Sequence, residues 1–323
     1  MQNTRVINIV YVITLTAIGA GVACAQDYPV KPIRMIAGSA GGGVDFAARI
    51  IAQSMTGDVG QPVIVENHSS AGGTVAAQMV KRAAPDGYML LIYGSPMWLA
   101  PYMRENVDYD PVRDFAPVTL AVSQPNILIV HPSLPVKSVK ELIALAKSRP
   151  GALNYSSGST GAASHLAAEL LKSMAKVDLV RISYTGSAPA LNALISGEIQ
   201  VMFVAAGSVE SHLHSGRLRS LAVTSAQPST LAPGLPTMAS AGLSGYESVA
   251  VYGVFAPVKT PATLVNRINQ QFVRVLQRPE IKARFFKSGV EAVGSSPQEF
   301  GAAVKSEISI MGKLIKEVGI RGD

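Results

Sequence analysis

The sequence predicts an α/β protein of two domains, each a mostly parallel sheet flanked by helices, joined by paired strands that form a hinge over a cleft. Short apolar runs rich in Val, Ile and Tyr alternate with longer segments of helical period, the pattern of strands linked by crossover helices. Length agrees, because 323 residues exceed what a single core usually organises. Two strand-like segments, 118–124 and 221–227, each leave one run of strand–helix units and enter another. With both crossing, 26–121 and 225–323 build one discontinuous domain and 122–224 the other.

Taken in order, Arg5 precedes an uncharged apolar run, 6–22, that leads into Ala23-Cys24-Ala25. Small residues there, followed by Gln26-Asp27, fit a secretory signal peptide over 1–25, cleaved after Ala25, and hence an exported protein. A rival reading takes Gly21-Val22-Ala23-Cys24 as a lipoprotein box with Cys24 lipidated, but Gly21 stands where a larger aliphatic residue is usual. Strands follow at 33–37, 62–66, 88–93, 126–130, 153–156, 179–183, 201–204 and 218–223, with helices between them. Ser138-Val139-Lys140-Glu141 is a capping box for a helix that Arg149-Pro150-Gly151 stops. Ser296-Pro297-Gln298-Glu299 repeats that chemistry and starts a final helix to about Val318. The stretch 117–136 carries no Asp, Glu, Lys or Arg, yet Pro117, Pro125, Pro132 and Pro135 bar a membrane span and predict two buried strands around a turn.

The charge arithmetic narrows the function classes. Twenty-eight Lys and Arg against 21 Asp and Glu give a net charge of +7, with 15% charged and 48% hydrophobic residues, so a folded core is expected rather than disorder. A single cysteine leaves no internal disulfide, thiolate zinc site or iron–sulfur cluster. The basic residues between Lys259 and Arg321 are interspersed with Glu280, Glu299, Glu307 and Glu317, which reads as solvated helix faces and not as a nucleic-acid surface.

The strongest local signal is Gly38-Ser39-Ala40-Gly41-Gly42-Gly43-Val44-Asp45, which follows a strand and opens a helix. Glycines let the backbone turn sharply and offer several N–H groups, and the helix start adds partial positive charge, so an anion is the natural guest. No Gly-Lys-Ser/Thr follows, and the third glycine of a dinucleotide fingerprint falls at Phe46, so a carboxylate suits the loop better than a nucleotide. Ser156-Ser157-Gly158-Ser159-Thr160-Gly161 and Tyr184-Thr185-Gly186-Ser187 offer the same chemistry at two further strand–helix junctions. In a wound sheet such loops share the carboxyl edge, where ligands bind.

Enzyme readings are weaker. No Gly-x-Ser-x-Gly elbow exists, so an exported serine hydrolase using Ser159 and His165 lacks its usual context; His165 reads better as a donor or packing residue beneath the Ser157–Thr160 loop. His212 and His214 lie two apart on a helix, facing different sides, so no metal site is expected. Asp45 and Asp86 fit dipole compensation and turn capping. No cofactor is implied.

Tyr28-Pro29-Val30-Lys31-Pro32-Ile33-Arg34, the Gly41-Gly42-Gly43-Val44-Asp45 loop with Ala48-Arg49, Gly60-Gln61-Pro62-Val63-Ile64-Val65-Glu66-Asn67, Ala71-Gly72-Gly73, Pro85-Asp86-Gly87-Tyr88, Gly158-Ser159-Thr160-Gly161 with His165, and Tyr184-Thr185-Gly186-Ser187 occur in one order along the chain. In that order and spacing the sequence resembles the periplasmic substrate receptors of tripartite tricarboxylate transporters, the Bug family. The resemblance implies a flytrap-like periplasmic binding protein, monomeric and not an enzyme, that delivers a small carboxylate to membrane permease subunits; a sensor presenting its closed form to a signalling partner is the alternative. It further implies one lip from Ser39, Gly41, Gly42, Gly43, Val44 and Asp45, and another from Ser157, Gly158, Ser159, Thr160 and His165 with Tyr184, Thr185 and Gly186, gripping the ligand without an arginine clamp. Two departures stand out: Ala37-Gly38-Ser39 replaces the Pro-aromatic start of the loop, and Val204-Ala205-Ala206 stands where an Asp is frequent, which disfavours an amino-acid ligand.

Overall fold

The computed structural model describes residues 28–68, 71–157, 160–184 and 187–322. The leader and Cys24 lie outside them. Strands β1 (Ile33–Ala37), β2 (Val63–Asn67) and β3 (Met89–Gly94) run parallel with β1 central. Helices α1 (Gly43–Val59), α2 (Thr74–Lys81) and α3 (Ser95–Met103) start at their carboxyl ends. Ile33, Met35 and Ile36 are fully buried, as a strand covered on both faces requires.

The next strand, β4 (Phe115–Val130), belongs to both halves of the molecule. Its first part pairs antiparallel with β9 (Val249–Pro257), as far as Pro125 opposite Val249. Its second part pairs with β7 (Val201–Ala205), from Asn126 opposite Ala205, and with β8 (Arg219–Val223) on the other side. The two strands expected around a turn are thus one strand of 16 residues, roughly 50 Å long. Pro125 does not break it: the proline sits at the last β9 pair, where β4 changes partners.

The second half continues with α4 (Val139–Ser148), β5 (Asn154–Ser157), α5 (Ala163–Ala175), β6 (Val180–Ser183), α6 (Ser187–Ile195), β7, α7 (Glu210–His214) and β8. Strands β5, β6 and β7 are parallel. The continuous order is β2-β1-β3-β9-β4-β7-β5-β6, with β8 and the short β10 (Glu291–Ala292) also on β4. Two mostly parallel half-sheets therefore share one long strand, the two-lobed architecture expected.

The return crossing differs from the sequence expectation of 221–227. After β8 the chain stays on the second half-sheet: Met238 N–H donates to Val223 O at 2.9 Å, and the Tyr246 hydroxyl donates to Ala167 O at 2.8 Å. It re-enters the first half at β9, a strand of mixed burial whose sequence VAVYGVFAP lacks a clean alternation. At the junction Thr224 N–H donates to Asn126 O at 2.9 Å, Asn126 N–H donates to Thr224 Oγ1 at 2.9 Å, and Ser248 N–H donates to Thr224 O at 3.0 Å. Three passes of the chain are pinned together at the hinge.

Helices α8 (Ala262–Leu276), α9 (Pro279–Phe286) and α10 (Pro297–Val318) close the first lobe. Both halves of the Ser296/Glu299 capping box form, at 3.2 and 2.9 Å. At α4 only one half does, since Glu141 accepts from Lys137 N–H instead of Ser138 N–H. An aromatic cluster of Trp98, Phe115, Phe255 and Phe300 fixes α10 to the sheet.

Candidate functional site

On the first lobe, three helix starts face the carboxyl edge of β1–β3. Their caps, Gly42, Gly73 and Gly94, are all glycines, residues with no side chain to cap the helix start themselves. A helix start whose cap residue supplies no side-chain acceptor is one an anion can complete. Gly41 adopts φ +75°, a left-handed conformation that favours glycine. Ser39, Gly41 and Gly43 are exposed, and Gly42 and Val44 are half-buried.

Asp45 has a different place from the other residues of this loop. Only 5% exposed, it accepts from Gly41 N–H at 2.9 Å, from Arg49 Nε at 3.0 Å and from Asn67 Nδ2 at 2.8 Å. Asn67 Nδ2 also donates to Gly38 O at 2.8 Å. Burial opposes its charge, yet these donors hold its carboxyl below the usual range. It buttresses the loop from behind.

Two tyrosines absent from the sequence reading shape the same lip. The ring of Tyr93, on β3, fills the space beside Gly38 and Gly73, and a Cβ at Gly73 would overlap it. Tyr252, on β9, puts its hydroxyl where a Cβ of Gly43 would be. These close approaches explain glycine at 43 and 73 better than turn geometry alone.

On the second lobe, Ser157 ends β5, Thr160 and Gly161 follow, and α5 begins at Ala163. Gly158, Ser159, Thr185 and Gly186 lie outside the described residues. His165 is 4% exposed, packed beneath the loop as one of the two expected roles has it, and its Nδ1 accepts from Gly161 N–H at 3.1 Å where the other role has it donate. Burial, then the nearby charge of Arg181, pushes its pKa down to about 4. Tyr184 turns aside, its hydroxyl donating to Glu198 at 3.2 Å. Among described residues no group of His, Cys, Asp and Glu has the makings of a metal site.

The lobes meet at a cavity of about 130 Å³ lined by Ser95 and Pro96 at the start of α3, Gly161 and Ala163 at the start of α5, Tyr252, and Glu307 of α10. Glu307 accepts from Trp98 Nε1 at 2.9 Å and from Ser95, and burial pushes its pKa up to about 6 despite those bonds. Tyr252 links this cavity to the glycine loop.

These two groups set opposed pH responses. His165 has the depressed folded pKa, so the unfolded chain binds its proton first and stability falls as pH drops from about 6.5 towards 4. Glu307 has the raised one, so its contribution is full below about 4.5 and is lost as pH rises through about 6. From pH 7 to pH 5 the first loses about 2 kcal/mol and the second gains about 1 kcal/mol. In urea unfolding at both pH values, His165→Gln should therefore retain about 2 kcal/mol more at pH 5, relative to its own pH 7 value, than wild type. An unchanged difference between the two pH values would contradict this.

A family model described as tripartite tricarboxylate transporter family receptor matches residues 47–320. The chain belongs to this family. The receptor is 30% identical over 324 residues to Protein BugT of Bordetella pertussis (strain Tohama I), covering 99% of each chain. Among solved structures it is similar to R. palustris Rpa4515 with adipate, at 33% identity and TM-score 0.73 over 92% of this chain and 100% of that one. It is also similar to MatC (Rpa3494) from Rhodopseudomonas palustris with bound malate, at 29% identity and TM-score 0.70, covering 89% and 100%. The two-lobed fold and the receptor family agree with the sequence reading, and the hydrolase reading is not favoured. A receptor family needs no base at His165, and a histidine titrating near 4 would be a poor one at neutral pH.

Proposed function

We propose that this receptor closes its two lobes on a small carboxylate held between the Ser39–Val44 turn and the Ser157–Thr160 turn. The observation that carries this reading is the set of glycine-capped helix starts on the first lobe, of which that of α3 shares an interlobe cavity with the loop that enters α5. Relatives solved with adipate and with malate support an acid as the ligand class. The absence of an acidic residue at Ala205 and Ala206 favours a plain carboxylate over a zwitterion.

Protein freed of ligand by unfolding and refolding should be stabilised by at least one acid in a panel of malate, adipate, citrate and benzoate. At one hundred times the dissociation constant the gain is about 2.7 kcal/mol, readable in a thermal-shift scan. A flat response across the panel would overturn the reading. We further propose that it delivers the acid to the permease subunits of a tripartite tricarboxylate transporter, which family membership supports and co-purification of those subunits with the loaded receptor tests. Export by cleavage after Ala25 is tested by N-terminal sequencing of the periplasmic protein. No helix among the described residues is long and apolar enough to cross a membrane. We further propose that the receptor acts as a monomer, which light scattering with and without acid tests.

A further inference from the structure

We propose that Arg181 supplies the charge of the second lip, orienting the Ser157 and Thr160 hydroxyls and biasing that lip towards a carboxylate over the matching neutral amide. This rests on the carboxylate reading above and adds a specificity-determining residue to it.

The placement follows from strand geometry. In β6, Ile182 packs into the core beneath α6 and α7, so Arg181 and Ser183 project from the opposite face. Arg181 is in register with Tyr155 of β5, two residues before Ser157. From there Nε donates to Ser157 Oγ at 2.8 Å and Nη1 donates to Thr160 Oγ1 at 3.3 Å. The guanidinium is half-buried, directly behind the turn that enters α5.

Two consequences follow from donor and acceptor roles. An arginine has only donors, so both hydroxyl oxygens act as acceptors towards it and direct their own protons elsewhere. At Thr160 that makes the hydroxyl a donor for an acceptor in front of the loop. The hydrogen bonds are also charge-assisted, which makes them stronger than neutral ones.

The neighbouring charges leave this role to Arg181. Glu169, 4% exposed, accepts from Lys172 Nζ at 2.9 Å and from the Tyr155 hydroxyl at 2.5 Å, so its charge is engaged by those two groups. His165, which accepts from Gly161 N–H of the turn, is neutral above its depressed pKa. The group adjoining the turn therefore includes one guanidinium and a neutral imidazole. A lip that reads in sequence as neutral hydroxyls and amides is in the folded protein backed by a fixed positive charge.

The test compares wild type, Arg181→Gln and Arg181→Lys by calorimetry, using adipate, malate and benzoate with the corresponding amides, at low and high salt. Loss of one charge-assisted interaction is expected to weaken the best acid about ten- to a hundredfold in Arg181→Gln, with little change for the amide. The salt dependence of acid binding should flatten in that variant and persist in Arg181→Lys, which keeps the charge but not the fork. Equal loss for acid and amide with an unchanged salt response would make Arg181 merely structural and overturn the proposal. So would acid binding as tight and as salt-sensitive as wild type, which would leave the receptor reading intact. If no acid binds wild type, that reading and this proposal fall together.

Discussion

Replacing Gly42 with glutamate is expected to abolish acid binding, by about a hundredfold or more, while the protein still folds. Gly42 caps α1 at φ −79° and ψ 169°, a conformation any residue adopts. A Cβ there would meet Ser39 O at 3.2 Å, close enough to require a shift of a few tenths of an ångström but no rearrangement. The glutamate carboxylate would then lie at the uncapped helix start, occupying the amides meant for the ligand and repelling it. Like charges placed against each other in a binding site cost several kcal/mol, and each 1.4 kcal/mol is tenfold in affinity. Gly42→Ala, which adds bulk without charge, should stay within a few-fold of wild type. Calorimetry on the pair separates the two effects; undiminished affinity in Gly42→Glu would move the anion site away from this loop.

The largest stability effect is expected at Gly253, which no sequence signal marks. It lies in β9 with its missing side chain directed at Phe300, and a Cβ there would overlap the ring. Phe300 cannot swing aside. It is fully buried, tilted against Phe255 at 4.7 Å and edge-on to Trp98 at 6.2 Å between ring centres. Gly253→Ala should therefore destabilise by about 3 kcal/mol, at the upper end of overpacking effects, with an unchanged dependence on urea. Adding Phe300→Leu in the same chain should recover part of that loss. A destabilisation below about 0.5 kcal/mol would show that α10 yields more readily than its packing implies.

Much of the fold was legible because its elements carry local rules. Strand 33–37 is found as read, bounded by Pro32 and Gly38, and the last helix begins at its Ser296 box and ends at Gly319 in a left-handed cap. What failed to show was non-local. Pro125 looks like a break until β4 is seen to exchange β9 for β7 and β8 there. Strand β9 was missed because Gly253 and Tyr252 answer to Phe300 and Gly43, residues far away in sequence.

The candidate site divides in the same way. The glycine loop announces itself through the turn and helix start it must build. The roles within it do not: Asp45 looks like a lip residue, yet its oxygens face Gly41, Arg49 and Asn67. Arg181 was visible as the one charge inside an apolar strand, but its relevance depends on β5 and β6 lying side by side. Pairing and packing decide such roles, and neither is written in local spacing.

The most direct measurement is a crystal structure of the receptor grown with the acid that stabilises it most. The ligand carboxylate is predicted within hydrogen-bond distance of the Gly43 and Val44 N–H groups or of the Ser157–Thr160 turn, between the two lobes. An acid bound elsewhere, such as the opposite flank of the hinge between Gly207 and Phe286, with both turns untouched, would contradict the proposed site.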